Sequence, residues 1–235
     1  MSRSVLVTGG NRGIGRAIAE AFRDAGDQVA ITYRKEDPQI PGIFAVRCDV
    51  TDSVQVNAAF DEIEARQGNV EVLVANAGVT ADNMLGDMSD EQFRHVHDTN
   101  VAGTFYVARR ASLAPMPEGG SIIAISSAIA PYGAYGQINY ASSKAAQVGL
   151  VKSLMRELAP RNIRVNAIMP GPIQTDMYDE LSDEAKAGHV ASVPLGRCGQ
   201  PAEIAGVVTF LASPQAAYVN GVALPVDGGA LGHLI

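Results

Sequence analysis

Short, nearly continuous apolar runs alternate with stretches of helical periodicity along most of the chain, and this alternation limits the possible folds more than any other feature. The runs are rich in Val, Ile and Ala, which is typical of strands that are buried on both faces. Such strands, separated by helices, predict a parallel sheet with right-handed crossover connections. No linker or repeat interrupts the pattern. We therefore predict a single α/β domain over residues 1–235, a Rossmann fold whose doubly wound parallel sheet carries helices on both faces.

The periodicity also places the individual elements. Strands are expected at 4–10, 28–34, 42–50, 70–78, 120–128, 163–171 and 221–229. Helices are expected at 15–26, 53–67, 89–111, 139–159 and from Pro201 onward, with a longer variable stretch at 172–199.

Composition and charge exclude several classes of protein. A net charge of -7 argues against a general nucleic-acid binder, because neutralising phosphates requires clustered Lys and Arg. No apolar run approaches the ~20 residues that span a bilayer, and the N-terminus leads into a strand rather than a secretory signal. Cys48 and Cys198 are too few for a disulfide scaffold, and the histidines show no metal-binding spacing. We expect a cytoplasmic protein with no membrane or nucleic-acid partner.

The segment TGGNRGIG (8–15) joins the first strand to the first helix. Glycines at 9, 13 and 15 allow the backbone to approach a pyrophosphate, which the free N–H groups and the dipole at a helix N-terminus favour. The simpler interpretation is that the glycines only permit a tight turn. Strand, glycine cluster and helix together favour a dinucleotide site.

Basic residues near this site indicate which dinucleotide is bound. NAD sites usually have an acidic residue at the end of the second strand, but Arg34 and Lys35 occupy that position here, and Arg12 lies within the glycine-rich loop. Guanidinium groups bind a phosphate in bidentate fashion, so the pair Arg12 and Arg34 favours NADPH or NADP⁺. The alternative is that both are ordinary surface arginines.

Tyr140 and Lys144 lie one helical turn apart in NYASSKAAQ (139–147). Residues at i and i+4 share a helix face, so the phenol and the ammonium can reach one point in space. Taken alone, this spacing occurs by chance in many helices.

The ordered set of motifs makes the chain resemble the short-chain dehydrogenase/reductase family from residue 4 to about 229. The matching segments are TGGNRGIG (8–15), DV (49–50), NAG (76–78), TNVAG (99–103), ISS (125–127), YASSK (140–144), RVNAIMPGPIQTDM (164–177) and PVDGG (225–229).

The resemblance implies roles for the catalytic candidates. Tyr140 would protonate a carbonyl oxygen while hydride arrives from nicotinamide, and the charge of Lys144 would lower the phenol pKa from its usual ~10. Lys144 would also bind the nicotinamide ribose, and Ser127 would hold the substrate carbonyl. Asn100 would bind a water in a proton relay to Lys144. The alternative for Asn100 is a polar residue on a partly exposed helix face.

The resemblance also implies the cofactor site and a substrate lid at about 176–196. The expected cofactor-binding residues are Gly9, Gly10, Asn11, Arg12, Gly13, Ile14 and Gly15 in the loop, Arg34, Asp49 and Val50 beside the adenosine, Asn76, Ala77 and Gly78 at its ribose, and Tyr140, Lys144, Pro170, Gly171, Ile173 and Thr175 around the nicotinamide and pyrophosphate.

Within the family, the chain is most similar to bacterial 3-oxoacyl-[acyl-carrier-protein] reductases, as in GNVEVLVANAGVTADNML and PAEIAGVVTFLAS. That similarity implies NADPH-dependent reduction of a 3-oxoacyl thioester to the (R)-3-hydroxyacyl thioester by a homotetramer. An acidic carrier protein needs a local basic patch. Arg161, with Arg156 and Arg164 nearby, occupies the position of one docking arginine of those reductases.

The segment LAPMPEGGS (113–121) departs from that pattern. Glu118 stands near the position of a second docking arginine. The chain is therefore either a specialised ketoreductase, for instance of polyketide or polyene assembly, or an enzyme that reduces free ketones or oxidises alcohols. A non-catalytic sensor or scaffold would be expected to lose Ser127, Tyr140 or Lys144, and all three are present.

Overall fold

The computed structural model describes residues 2–113 and 116–232 and contains a parallel sheet of order β3-β2-β1-β4-β5-β6-β7. The strands are β1 (Ser4–Val7), β2 (Gln28–Tyr33), β3 (Phe44–Arg47), β4 (Val72–Ala75), β5 (Ser121–Ile125), β6 (Arg164–Pro170) and β7 (Ala223–Val226). Every pairing is parallel, so the predicted α/β Rossmann architecture is confirmed.

Helices cover both faces of this sheet. They are α1 (Gly13–Asp24), α2 (Ser53–Gln67), α3 (Asp90–His97), α4 (Gly103–Leu113), α5 (Ile138–Leu158), α6 (Asp176–Asp179), α7 (Asp183–Ala191) and α8 (Pro201–Leu211). None of the helices in the described ranges is both long and apolar enough to cross a membrane.

Alternation along the strands supplies two separate cores. Successive strand residues point to opposite faces of a sheet. Leu6 therefore joins a buried cluster with residues of α2, α4 and α5, whereas Val5 and Val7 join a second cluster with residues of α1 and α8. Both faces of the central strands are buried, which explains why their sequences read as continuous apolar runs rather than as alternating ones.

The strand order reverses between β1 and β4, and this point determines where a ligand can bind. Helices that follow β1 and β4 leave the sheet on opposite sides, which opens a crevice beyond the carboxyl ends of the strands. The segments predicted as strand ends, such as 76–78 after β4, lie in this crevice instead of continuing the ladder.

Two predicted segments differ from the structure in an informative way. The helix expected over 89–111 is divided into α3 and α4 by a π-helical turn at Asp98–Ala102, in which the Gly103 N–H bonds to the Asp98 carbonyl. The stretch 172–199 contains α6 and α7, so the predicted lid includes two short helices. Whether it moves stays a prediction.

Candidate active site

The glycine-rich loop turns sharply from β1 into α1. Gly9 and Gly13 have φ of 63° and 54°, a left-handed conformation that side chains with a Cβ rarely adopt. Arg12 precedes α1 without a side-chain cap, so the first N–H groups of the helix keep their capacity to bind an anion. The loop therefore fits the pyrophosphate role inferred from its sequence.

Asn76 fastens this loop to the end of β4. Its side-chain amide donates to the carbonyls of Thr8 and Gly9 at 2.9 and 3.0 Å. In return, the Thr8 hydroxyl accepts from the backbone N–H groups of Asn76 and Ala77, both at 3.1 Å. Asn76 thus shapes the loop itself, a task that sequence reasoning missed when it placed this residue only beside a ribose.

We expect the Gly15→Ala variant to weaken dinucleotide binding. A Cβ at Gly15 would lie 2.4 Å from both the Asn76 amide nitrogen and the Gly9 carbonyl oxygen. Overpacking costs about 1–3 kcal/mol, so the Kd measured by fluorescence titration is expected to rise about 10-fold. Gly149→Ala in α5, where a Cβ meets nothing within 4 Å, is the matched control. Equal Kd values for the two variants would contradict a role in cofactor binding for the close packing of Gly15 against Asn76 and Gly9.

A cavity of about 690 Å³ extends from this loop across the carboxyl ends of the strands. Its lining includes most of the predicted site residues, namely Gly9, Asn11, Arg12, Gly13, Ile14, Gly15, Arg34, Asp49, Val50, Asn76, Ala77, Gly78, Ser127, Tyr140, Lys144, Pro170, Gly171, Ile173 and Thr175. Among the predicted catalytic and cofactor-binding residues, Gly10 and Asn100 are the two that do not line it.

Gly10 lies behind the cavity wall, against β2. A Cβ there would come within 2.3 Å of the Ile31 side chain. This glycine allows the loop to pack tightly on the sheet, and the expectation that it also borders the cofactor stays a prediction.

Basic side chains surround one end of the cavity. Arg12, Arg34 and Lys35 are exposed there, as the sequence predicted. Arg47 adds a further cation that sequence reasoning missed, because β3 pairs beside β2 and sets Arg47 opposite Tyr33. Its Nε donates to the Arg34 carbonyl at 3.2 Å, and both arginines line a smaller adjoining cavity of about 400 Å³.

The catalytic candidates meet at the other end of the cavity. Tyr140 and Lys144 extend from α5, and Ser127 follows β5. Lys144 is buried, and its Nζ donates to the Ile125 carbonyl at 2.8 Å and to Gln147 Oε1 at 3.1 Å. The same Nζ lies 5.5 Å from the centre of the Tyr140 ring.

Comparisons with known proteins agree with this geometry. A family model described as Enoyl-(Acyl carrier protein) reductase matches residues 9–230. The 3-oxoacyl-[acyl-carrier-protein] reductase MabA of Mycobacterium bovis is 47% identical, covering 99% of this chain and 95% of that protein. The corresponding reductase FabG of Staphylococcus aureus is 41% identical, with coverages of 97% and 98%.

Solved structures give the same result. A short-chain dehydrogenase/reductase of Serratia marcescens superposes with a TM-score of 0.91 at 34% identity, covering 97% of each chain. The chain belongs to the short-chain dehydrogenase/reductase family. A blue fluorescent protein from a metagenomic library, solved in complex with NADPH, also gives a TM-score of 0.91, at 35% identity and 97% coverage of each chain. Members of this family are NAD(P)-dependent oxidoreductases, and the cavity fits such a cofactor.

The acid–base pair of this short-chain dehydrogenase/reductase differs from expectation in one respect. Burial raises the pKa of Tyr140 to about 12, while the neighbouring Ser127 hydroxyl opposes the rise and the Asp82 carboxylate adds to it. Burial also lowers the pKa of Lys144 to about 7. The expected lowering of the Tyr140 pKa by Lys144 is therefore wrong for the cofactor-free site. Desolvation of the phenol raises the pKa of Tyr140, and desolvation of the ammonium removes much of the Lys144 charge near neutral pH.

Asn100 is fully buried within the π-helical turn. Its side chain pairs with the backbone of Val79, accepting from the N–H at 2.9 Å and donating to the carbonyl at 3.0 Å. It also donates to the Ser143 hydroxyl at 2.9 Å. The alternative of a partly exposed polar residue is wrong, and the π turn at Asn100 holds the end of β4 against α5.

The basic patch expected around Arg161 is smaller than the sequence indicates. Arg164 is buried in β6, where its guanidinium donates to the Leu211 carbonyl at 2.6 Å, so it cannot serve a partner. Arg156 and Arg161 are exposed, as is Glu118. The described residues do not include 114–115, which belong to the departing segment 113–121, or 233–235 at the C-terminus.

Proposed function

We propose that this enzyme uses NADPH to reduce a 3-oxoacyl thioester, carried on an acyl carrier protein, to the (R)-3-hydroxyacyl thioester in fatty-acid or polyketide/polyene biosynthesis. The observation that carries the proposal is the grouping of Ser127, Tyr140 and Lys144 at the inner end of a dinucleotide-sized cavity. The relatives named as 3-oxoacyl-[acyl-carrier-protein] reductases support the same substrate class.

The bound cofactor supplies a hydride to the substrate carbonyl carbon. Because its pKa is raised to about 12, Tyr140 keeps its proton at working pH and donates it to the carbonyl oxygen as negative charge develops there. Ser127 orients that oxygen from the end of β5. Lys144 would bind the nicotinamide ribose, and in its ammonium form it would stabilise the phenolate that remains on Tyr140.

The preference for NADPH rests on the basic end of the cavity. Arg12, Arg34 and Arg47 come from three different segments and are suited to a 2′-phosphate. The structural neighbour solved with NADPH supports this preference.

Carrier-protein docking at Arg161 requires a second copy of the chain. Tyr140 is near the start of α5, beside the carboxyl ends of the strands. Arg161 follows the end of this helix, in the turn Ala159–Arg161, and lies at the amino ends of the strands. The 18 residues from Tyr140 to Leu158 correspond to about 27 Å of helix. A carrier bound at Arg161 would therefore face away from its own cavity, and the proposed homotetramer would present the cavity of a neighbouring copy.

We expect Arg161→Ala to raise the KM for a carrier-bound substrate about 10-fold, because docking to an acidic partner depends on surface charge. The KM for the same acyl group on a short thiol should stay unchanged. Arg23→Ala, at the same end of the strands but in the α1 layer, controls for loss of a half-buried surface charge. Because Arg161 also donates to the Ser112 carbonyl at 2.6 Å, thermal stability should be measured alongside. A rise in KM with both substrates would contradict docking at Arg161.

Reduction of a free ketone or oxidation of an alcohol is the second candidate. The exposed Glu118 and the burial of Arg164 favour it, because both weaken the basic patch. NADPH oxidation should be compared with a 3-oxoacyl carrier protein, a 3-oxoacyl short-chain thioester, a trans-2-enoyl thioester and a simple ketone. Faster turnover on the carrier supports the proposal. Turnover of only the enoyl thioester or only the free ketone overturns it.

A further inference from the structure

Gln147 lies one turn beyond Lys144 in α5, and its side chain is completely buried. Its Oε1 accepts from Lys144 Nζ at 3.1 Å. Its Nε2 donates to the Asn100 carbonyl at 2.9 Å and to the Thr104 hydroxyl at 2.8 Å. One amide side chain therefore connects the ammonium in α5 to the π-helical turn.

These contacts fill the acceptor capacity of the Asn100 carbonyl. A backbone carbonyl has two lone pairs. One receives the Gln147 amide, and the other receives the Thr104 hydroxyl at 2.7 Å. Both amide hydrogens of the Asn100 side chain are donated, to the Val79 carbonyl and the Ser143 hydroxyl, and its Oδ1 accepts from the Val79 N–H. The water-binding role expected of Asn100 stays a prediction, and the direct contact through Gln147 exists beside it.

We propose that Gln147 is a positioning residue for carbonyl reduction, which fixes the Lys144 ammonium through Oε1 and links it directly to the Asn100 carbonyl. Its catalytic consequence rests on the proposed function, whereas its effect on Lys144 does not. A carboxamide accepts a hydrogen bond without taking up the proton, so Gln147 orients Lys144 but does not relay protons to Asn100.

The surroundings of Lys144 make this contact measurable. Tyr140 of the same helix is the titratable group facing it, and the Asp82 carboxylate acts on that phenol. The π turn and α4 contribute the neutral Asn100 and Thr104, and β5 contributes the Ile125 carbonyl. Among the described residues, burial alone accounts for the lowered Lys144 pKa. A charge introduced at position 147 should therefore be the dominant electrostatic effect on the Lys144 pKa.

The test follows the Lys144 titration in the cofactor-free protein with ¹³Cε-labelled lysine. The lysines are Lys35, Lys144, Lys152 and Lys186, so few signals overlap, and Lys144→Arg assigns the buried one. Gln147→Glu keeps the shape of the side chain and places a carboxylate against the ammonium, so the midpoint should rise by about one pH unit or more. Gln147→Met removes the acceptor, so the midpoint should fall.

Thr104→Val is the matched control. It removes the Thr104 hydroxyl's hydrogen bond to the Asn100 carbonyl and one of the two acceptors of Gln147 Nε2, but it leaves the contact of Oε1 with Lys144. It should therefore lower thermal stability and leave the titration midpoint where the wild type has it. If both Gln147 variants fold, as judged by circular dichroism, and keep the wild-type midpoint, the proposal is overturned.

Turnover measurements then separate the effect of Gln147 on the Lys144 pKa from its effect on catalysis. Gln147→Met should lower kcat about 10-fold with little change in KM, since small displacements of a positioned group cost rate rather than substrate affinity. Gln147→Glu should move the pH profile of kcat in the same direction as the NMR midpoint. If the midpoints shift but no 3-oxoacyl substrate is turned over by the wild type, the proposed function fails while the role of Gln147 in holding Lys144 stands.

Discussion

Replacing Tyr140 with phenylalanine is expected to lower kcat about 1,000-fold, within the range that general acid catalysis supplies. The substitution removes the phenolic hydroxyl and keeps the ring that faces Lys144. Burial raises the pKa of Tyr140 to about 12, so the wild-type phenol carries its proton at working pH and the variant lacks this donor. Single-turnover NADPH oxidation measures the effect on the chemical step.

The same variant should keep NADPH binding within a few-fold of the wild type, because the basic end of the cavity is untouched. Tyr218→Phe, at a fully exposed tyrosine, controls for loss of a phenol elsewhere. A Tyr140→Phe enzyme with near-normal kcat would show that another group donates the proton. Loss of NADPH binding in parallel with kcat would instead indicate that Tyr140 mainly supports the cofactor.

Replacing Arg34 with aspartate is expected to raise the Kd for NADPH about 100-fold, because a charged hydrogen bond worth about 1.5–3 kcal/mol is exchanged for repulsion. Binding of NADH, which lacks the 2′-phosphate, should change far less. Arg34 lines both the main cavity and the smaller one that it shares with Arg47. Calorimetry with both nucleotides gives the ratio of the two effects.

Lys152→Asp in α5 is the matched control, since it makes the same change of charge at an exposed position that does not line the cavity. Equal weakening of NADH and NADPH binding by Arg34→Asp would show that Arg34 stabilises the loop rather than recognising a phosphate. Arg34→Asp combined with Arg47→Ala should weaken NADPH binding further than either change alone.

The overall architecture could be predicted from the sequence because burial on both faces makes each central strand a continuous apolar run. Strand ends could not be placed, since segments such as 76–78 follow the apolar run without a charge or a proline to mark its end but turn into the crevice. The single helix predicted over 89–111 has a π turn at Asp98–Ala102, because Asn100 bonds to Val79 in a distant loop and this tertiary contact overrides the local periodicity.

The loop residues that line the cavity could be predicted because a glycine cluster between a strand and a helix has few other uses. Arg47 was missed because its position depends on strand order, which places β3 beside β2. Gln147 carries no local signal: one turn beyond Lys144, it resembles any polar residue in a helix until burial and its three partners are known. Arg164 was misjudged for the same reason, since its partners lie 47 or more residues away.

The hydrogen bonds between Asn76 and the glycine-rich loop also affect the entropy of cofactor binding. The carbonyls of Thr8 and Gly9 and the N–H groups of Asn76 and Ala77 are already paired before any nucleotide arrives. The backbone that receives the pyrophosphate is therefore preorganised, and the conformational entropy of ordering it is lost during folding rather than during binding. Each cofactor exchange in the catalytic cycle then avoids this cost, which suits an oxidoreductase that must exchange its dinucleotide cofactor after every turnover.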